Sequence, residues 1–291
     1  MDKHNLNAFI AVSETKSFSN AAEILHVTQS TISKRIALLE ETMGQKLFDR
    51  IARQVSLTPA GAELLPRAER ILQEYKDAIQ AINDLSGNTS GTLRLAISHH
   101  LGLHRLPPLL KKYVQAHPDV VLDIEFMDSE KAYEQVLLGQ SEVAVITLAL
   151  EKRHNIVGKK IWDDRLRFVC AQDHALSQLI TPELIHLADY PVILPGLNTY
   201  TGRIVQNLFQ EKDIRLKSPM STNYLETIST MVEVGLGWSV LPETLVRDLH
   251  VMPIQNCHIQ RELGYIHHKK RTLSNSAQAF ISLIAKSSTI L

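Results

Sequence analysis

Several features that would assign a chain to a common functional class are absent from this sequence. Cysteine occurs only twice, as Cys170 and Cys257, so a disulfide framework is excluded. No apolar run approaches the roughly 18 residues of a membrane-spanning helix, and the first residues lack the apolar core of a secretion signal. These absences predict a cytoplasmic protein with no membrane partner.

The sequence also has no excess of charge of one sign and no enzyme motif. Basic and acidic side chains number 31 each, so no net charge draws the chain non-specifically to nucleic acid. The sequence has no Gly-x-Ser-x-Gly elbow, no phosphate-binding glycine loop and no recognised set of metal ligands. We therefore expect neither catalysis nor a cofactor. A length of 291 residues, 44% of them hydrophobic, is enough for two or more domains.

Residues 18–50 have the pattern of two short helices joined by a tight turn. The first helix is predicted over 19–25, and the second over 29–42 with Gly44 as a left-handed cap. Such a pair, set at a steep angle, is the unit that places one helix in the major groove of DNA.

Capping residues and helical spacing support both helices. Asn20, with Glu23 three positions on, resembles a capping box and predicts the start of the first helix, with Ser19 as an alternative cap. Thr28 is placed to cap the second helix. Three apolar residues of the second helix share a face that can pack on the first: Ile32, Ile36 and Leu39.

Another face of the second helix is short, polar and free of acidic side chains. Gln29 can pair bidentately with adenine, and Ser33 can bond to bases or phosphates. Lys34 and Arg35 can reach phosphates. Charge adds little support, because residues 1–58 hold seven basic and six acidic side chains.

An ordered set of residues spans this region and continues beyond it. Its members are Ala22, Leu25, Val27, Thr28, Gln29, Ser30, Ser33, Ile36, Leu39, Glu40, Gly44, Leu47, Phe48, Arg50, Leu57, Thr58 and Gly61. The set resembles the N-terminal signature of LysR-type transcriptional regulators. This resemblance implies a winged helix-turn-helix over 1–58, whose wing at 51–57 carries Arg53 toward the DNA backbone or minor groove. The implied DNA contacts are Thr28, Gln29, Ser30, Thr31, Ser33, Lys34, Arg35, Arg50 and Arg53.

A heptad pattern follows within 59–90. Thr58 and Pro59 are a capping hydroxyl and a proline at the first helical position. Apolar side chains then recur at spacings of four and three, the period of a helix packed along another helix: Leu64, Ala68, Ile71, Tyr75, Ala78, Ile82 and Leu85. Pro66 predicts a kink near the start, and the small polar run 86–91 predicts a hinge.

The partner of this helix is either its own chain or a second copy. Two base contacts from one recognition helix discriminate by about 2–6 kcal/mol. Competition with ~10⁶ non-specific sites needs about 8 kcal/mol, which favours two copies. We expect a homodimer or homotetramer on an interrupted palindrome of double-stranded DNA, with RNA polymerase as a further candidate partner.

From residue 91 onward, predicted strands alternate with predicted helices, which indicates a parallel α/β sheet. The strands are predicted at 93–97, 120–126, 143–146, 166–171, 190–194 and 262–267, and the helices at 106–116, 129–138, 202–211, 222–234 and 276–284. Residues 235–242 resemble the glycine-spaced strand of the LysR family. The layout resembles a two-lobed, periplasmic-binding-protein-like effector domain over 91–291. The implied first lobe is 91–161 plus 267–291, and the second is 162–266, with crossings near Ile161 and Ile266.

Ligands of open α/β sheets bind beyond the carboxyl ends of strands, near helix N-termini. That rule selects the effector candidates Ser98, His99, His100, Met127, Asp128, Thr147, Asn198, Thr199, Tyr200, Thr201 and Asn223. In the family arrangement they converge on a cleft between the lobes. Their hydroxyls and the nearby backbone N–H groups suit a small carboxylate or another small anion.

Three alternatives are weaker. His99, His100 and His104 suggest a metal site, but no cysteine or carboxylate accompanies them at ligand spacing, so effector or loop contacts are favoured. The spacing of the two cysteines differs from the close pair of peroxide-sensing family members, which favours plain buried thiols. A solute-binding protein would need a secretion signal and would not carry residues 1–85.

Overall fold

The computed structural model describes residues 2–51, 54–151 and 153–287. The chain divides into two compact units, Met1–Leu85 and Ser86–Leu291. No helix within the described ranges combines the length and apolar composition needed to cross a bilayer.

The first unit consists of four helices and a two-stranded hairpin. Its elements are α1 (Lys3–Thr15), α2 (Phe18–Ile24), α3 (Gln29–Met43), β1 (Phe48–Ile51), β2 (Gln54–Leu57) and α4 (Pro59–Asp84). The two strands are antiparallel, with Phe48 opposite Leu57. This arrangement confirms the winged helix-turn-helix. Arg53, predicted on the wing, lies outside the described residues.

Of the three caps predicted for the helix pair, two are confirmed and one was wrong. Thr28 caps α3, where its hydroxyl accepts the Thr31 N–H at 3.2 Å, and Gly44 closes α3 with φ of 65°. The cap of α2 is Ser17, which accepts the Asn20 N–H at 3.2 Å, so the prediction of Asn20 or Ser19 was wrong. Phe18 is buried in the core, and α2 begins at this residue.

One apolar core joins all four helices of the first unit. Buried members come from every helix, and include Leu6, Phe9, Val12, Phe18, Ala21, Ala22, Ile32, Ile36, Leu39, Ala68 and Leu72. The face predicted on α3 therefore packs as expected. Helix α4 continues through Pro66 without interruption, and it begins as predicted, with the Thr58 hydroxyl accepting the Gly61 N–H at 3.0 Å.

The second unit alternates strands and helices. Its strands are β3 (Gly91–Ser98), β4 (Val120–Met127), β5 (Val143–Thr147), β6 (Ile156–Cys170), β7 (Pro191–Leu194), β8 (Lys217–Ser221), β9 (Ser239–Pro242), β10 (His250–Val251) and β11 (Ile259–His268). Its helices are α5 (His99–His104), α6 (Pro107–Ala116), α7 (Ser129–Leu138), α8 (Leu184–Leu187), α9 (Tyr200–Gln210), α10 (Leu225–Glu233) and α11 (Asn275–Lys286).

The main sheet of this unit is mixed. Its order is β10-β6-β11-β5-β3-β4, with β9 also paired to β6, while β7 and β8 form a separate parallel pair. Strand β3 is parallel to β4 and β5, as predicted. Strand β11 is antiparallel to β5 and β6, so the prediction of a wholly parallel sheet was wrong. The reason is that β6 and β11 are long strands of opposite direction that pass through both halves of the unit.

Two sets of apolar cores define two lobes. The first lobe packs β3–β5 with α6 and α11, and Trp162 and Leu263 belong to its core. The second lobe packs β7 and β9 with α9, and Leu166 and Ile259 belong to its core. The expected return crossing was near Ile266, whereas the shared strand β11 already enters the first-lobe core at Leu263.

Candidate functional site

The predicted DNA-contact residues of α3 lie at its N-terminal end. Gln29, Ser30 and Lys34 are exposed, whereas Thr31, Ser33 and Arg35 are partly exposed. The Thr28 hydroxyl lies 2.9 Å from that of Ser30 and 2.8 Å from that of Thr31, in addition to capping the helix. The end of α3 therefore presents hydroxyls, an amide and a cation. Arg50 lies in β1.

Glu40 fixes the other end of α3 to the segment that leads into the hairpin. Its buried carboxylate accepts the Leu47 N–H at 2.9 Å and pairs with Lys46 at 2.8 Å. Burial alone raises the pKa of Glu40, but these hydrogen bonds outweigh it and hold the pKa below its ordinary value. Glu40 thus acts as a charged link between the recognition helix and the start of β1.

The apolar side chains of α4 lie in two different environments. Its first part packs on its own chain, where Ala68 is buried and Leu64 is partly buried in the core. Its second part leaves a stripe of apolar side chains exposed. This linker stripe consists of Ile71, Tyr75, Ile79, Ile82 and Leu85, with Leu85 86% exposed. The first half of the helix therefore packs on its own chain, whereas the partner of the second half stays a prediction.

The predicted effector residues lie around one cavity between the two lobes. The space that can hold the centre of a water molecule is about 50 Å³, within about 530 Å³ of space that includes open solvent. Ten of the eleven candidates line it: Ser98, His99, His100, Met127, Asp128, Thr147, Thr199, Tyr200, Thr201 and Asn223. Asn198 does not line it and is exposed on the turn before α9.

Arg261 also lines the cavity and was not predicted. Its Nε donates to Oδ2 of Asp164 at 2.6 Å, and its Nη1 donates to the Thr201 hydroxyl at 2.7 Å. Its Nη2 is buried and has no hydrogen-bond partner within the described part of the chain. Arg105 lies 3.5 Å from the other oxygen of Asp164, so this buried carboxylate faces two cations. Arg261 therefore supplies N–H donors to one side of the cavity.

Carboxylates from the first lobe bind donors from the second lobe. Glu130, at the N-terminus of α7, accepts the Tyr200 N–H at the start of α9. Asp128 accepts from the Asn223 amide at 2.7 Å. Burial raises the pKa of Glu130, although hydrogen bonds from its own N–H and that of Tyr200 partly oppose the shift. These contacts join the lobes at the cavity.

The Thr199 hydroxyl serves the fold of this region. It accepts the Gly202 N–H at 3.0 Å as the cap of α9 and donates to the Gly196 carbonyl at 2.8 Å. Because both functions of the hydroxyl are used, Thr199 contributes to the cavity mainly by shaping the start of α9.

A histidine cluster adjoins the cavity. His104 Nε2 lies 2.9 Å from Glu226 Oε1, and His100 Nδ1 lies 3.5 Å from the same oxygen. In the sequence, no carboxylate accompanies the histidines at ligand spacing. The fold supplies one from α10, separated by 122 residues from His104.

The two cysteines are free thiols in different settings. Cys170 is buried in β6, and burial raises its pKa to about 11. Burial also raises the pKa of Cys257, which is only partly exposed. A thiol with a raised pKa has little thiolate and low reactivity, as the interpretation of plain buried thiols requires.

Comparison with known proteins agrees with both units. Residues 4–62 match the bacterial regulatory helix-turn-helix protein, LysR family, and residues 86–288 match the LysR substrate binding domain. An uncharacterised HTH-type transcriptional regulator of Azotobacter vinelandii, from an ibpB-leuC intergenic region, is 60% identical over 108 residues, covering 37% of this chain and 75% of that protein.

Two solved structures share the fold. Full-length CbnR complexed with its target DNA has a TM-score of 0.73 and 21% identity, covering 99% of this chain and 100% of the other. The effector binding domain of QuiR in complex with shikimate has a TM-score of 0.63 and 19% identity, covering 69% and 98%. With both domain matches in their expected order, this chain belongs to the LysR family of DNA-binding transcriptional regulators.

Proposed function

We propose that this regulator acts in the cytoplasm, without catalysis, as a homodimer or homotetramer on an interrupted palindrome. In this proposal residues 1–58 bind DNA, 59–90 hold two copies together, and 91–291 bind a small carboxylate between the lobes. Occupancy of the cavity biases two arrangements of the effector domains, which changes DNA bending and access of RNA polymerase.

The observation that carries the carboxylate proposal is the buried Nη2 of Arg261. A guanidinium N–H that is buried without a partner loses the hydrogen bond that water would supply. A ligand carboxylate restores it with a charge-assisted bond. The other two hydrogen-bonding nitrogens are held by Asp164 and Thr201, so the guanidinium is fixed in position before the ligand binds.

The acidic side of the cavity supports a hydroxylated carboxylate in particular. Asp128 and Glu130 accept hydrogen bonds, so they suit ligand hydroxyls and repel a second carboxylate. Ser98 and Thr147 supply hydroxyls on the same lining. Shikimate, the ligand in the related QuiR effector domain, has this combination of one carboxylate and several hydroxyls.

The linker stripe supports a dimer. Five large side chains exposed along one helix are an unusual cost for a single chain, and a second copy of α4 would cover them. Two recognition helices held by one paired helix would read two half-sites at a fixed separation.

The DNA-binding part is tested by letting purified full-length protein select fragments of its own genome, followed by sequencing. Recovery of a short interrupted palindrome is expected. Recovery of no common sequence, both with and without added cell metabolites, would overturn the proposal.

The effector part is tested with a panel of small molecules in a thermal unfolding assay. Hydroxylated monocarboxylates, including shikimate, are expected to raise the unfolding midpoint, whereas the matched amides and amines are not. Ser98→Ala is expected to reduce the shift, with exposed Ser218→Ala as the control. A panel response that follows amines, or that is equal in Ser98→Ala, would contradict the carboxylate assignment.

A further inference from the structure

We propose that His100, His104 and Glu226 bind a divalent transition-metal ion, best fitted by Zn²⁺, beside the effector cavity. Two imidazoles and a carboxylate are a donor set that zinc accepts in proteins. Their candidate ligand atoms all lie within 4.8 Å of one another. The site adjoins the carboxylate site through His100 but uses no atom of Arg261.

The spacing of the donors fits a tetrahedral ion. Bonds of about 2.0–2.1 Å place neighbouring ligand atoms of a tetrahedron about 3.3–3.4 Å apart. In the structure Glu226 Oε1 lies 2.9 Å from His104 Nε2 and 3.5 Å from His100 Nδ1. The three ligand atoms all lie within 4.8 Å of one another, so the donors would have to draw together to reach tetrahedral spacing around one ion.

The local fold holds the histidines as a pair. His100 and His104 are four residues apart in α5, so they share one helix face, the arrangement that helical zinc sites use. Glu226 lies in the first turn of α10 in the second lobe. An ion bound by all three would tie the first lobe to the second.

The ring of His100 is held beside Glu226. It is 6% exposed, and its buried Nδ1 faces Glu226 Oε1 at 3.5 Å without a hydrogen bond of good geometry. Its other ring nitrogen, Nε2, lies 3.4 Å from the Thr244 hydroxyl. A hydroxyl at that position can fix the ring and leave Nδ1 for an ion, as outer hydrogen bonds do in established metal sites.

Binding of the metal ion is expected to be coupled to binding of a ligand in the cavity. Three protein ligands leave a fourth position for water or for an anionic group. His100 also lines the cavity, so bound Zn²⁺ and a bound carboxylate share one wall. If each changes the affinity of the other, the two factors must be equal.

The first test uses untagged full-length protein, treated with a chelator and then titrated with Zn²⁺ in competition with a chromophoric indicator. A single tight equivalent per chain is expected. Co²⁺ in place of Zn²⁺ is expected to give the visible absorption of a tetrahedral site. No binding above that of loose surface sites, or an octahedral Co²⁺ spectrum, would overturn the proposal.

Variants separate this site from adventitious binding. Glu226→Gln and His104→Ala are each expected to weaken Zn²⁺ binding about tenfold or more, because each removes one ligand. His258→Ala, an exposed histidine of the second lobe, is the control and is expected to bind as the parent does. Equal binding by all three variants would exclude the site.

The outcome is independent of the effector proposal. Each variant is first checked for an unchanged metal-free unfolding midpoint and for selection of the same DNA fragments. Loss of Zn²⁺ binding with both retained supports the site, whereas the carboxylate assignment is decided by the response to the panel in chelated buffer.

Discussion

Nε of Arg261 lies 2.6 Å from Oδ2 of Asp164, and both side chains are almost completely buried at the junction of the lobes. This pair fixes the plane of the guanidinium while leaving Nη2 without a partner in the described part of the chain. The relationship makes Arg261 the residue on which binding of a carboxylate should depend most.

We expect Arg261→Gln to weaken binding of the carboxylate selected from the panel by about 10- to 150-fold. This factor corresponds to the loss of about 1.5–3 kcal/mol for a hydrogen bond to a charged group. Arg261→Lys should recover only part of this, since lysine keeps the charge but lacks the fork. Calorimetric titration measures both. Exposed Arg165→Gln is the matched control.

Removal of Arg261 also leaves Asp164 with Arg105 alone, which destabilises the fold by itself. The double variant Arg261→Gln with Asp164→Asn removes that unpaired charge. Unchanged carboxylate affinity in the stably folded double variant would show that Arg261 is only structural.

Gln29 is expected to read one base of each half-site. Gln29→Ala should cost about 1–3 kcal/mol at one operator position and relax the preference there, because its amide can pair with adenine. Selection from a randomised operator library measures this position by position. Gln45→Ala changes an exposed glutamine beyond the end of α3 and should leave the preference unaltered. An unaltered preference in Gln29→Ala would remove this residue from the groove.

The linker stripe is expected to hold the dimer. Ile82→Glu should convert the protein toward monomers and strongly weaken binding to the full palindrome, because it places a charge in an apolar helix pair. Sedimentation gives the mass and gel shift gives the affinity. Lys76→Glu changes the charge of an exposed residue outside the stripe and should remain dimeric. A dimeric Ile82→Glu variant would place the interface elsewhere.

Glu40 is expected to make the stability of the first unit depend on pH. A carboxyl whose pKa is lowered on folding stabilises the fold above its unfolded pKa of about 4.3, and this contribution disappears as pH falls through the lower folded value. Glu40→Ala should therefore destabilise the unit by about 1–3 kcal/mol at pH 7 and by little in strong acid.

Urea unfolding of the two proteins at several pH values measures this difference for the Glu40 variant. Neighbouring Glu41 is exposed, so Glu41→Ala should show almost no effect at any pH. A difference for Glu40→Ala that stays constant down to strong acid would mean that packing, not charge, is responsible.

Local signals made the DNA-binding unit largely predictable. Each signal acts within a few residues and had the predicted effect: the cap at Thr28, the left-handed Gly44 at the end of α3 and the apolar spacing of that helix. The start of α2 was missed because its cap Ser17 precedes a buried phenylalanine that the pattern did not count.

The cavity was predictable where it follows strand ends and unpredictable elsewhere. Glu130 obeys the strand-end rule, two positions beyond Asp128, the last residue selected after β4. Arg261 lies inside a long antiparallel strand, where that rule has nothing to say. Glu226 meets the histidines only because α10 and α5 pack together across the lobes, a contact that a separation of 122 residues from His104 conceals.

Helix α4 packs in the core at one end and exposes the linker stripe toward its other end. This arrangement limits how such a chain can vary in length. One residue inserted after Leu72 would rotate the exposed stripe by ~100° relative to the recognition helix. Seven inserted residues would nearly restore its facing direction while moving it ~10 Å along the helix axis. Length changes in this segment are therefore tolerable only in steps close to whole helical turns, such as ~7 or ~11 residues, so the linker is under a phase constraint that loops of the same protein escape.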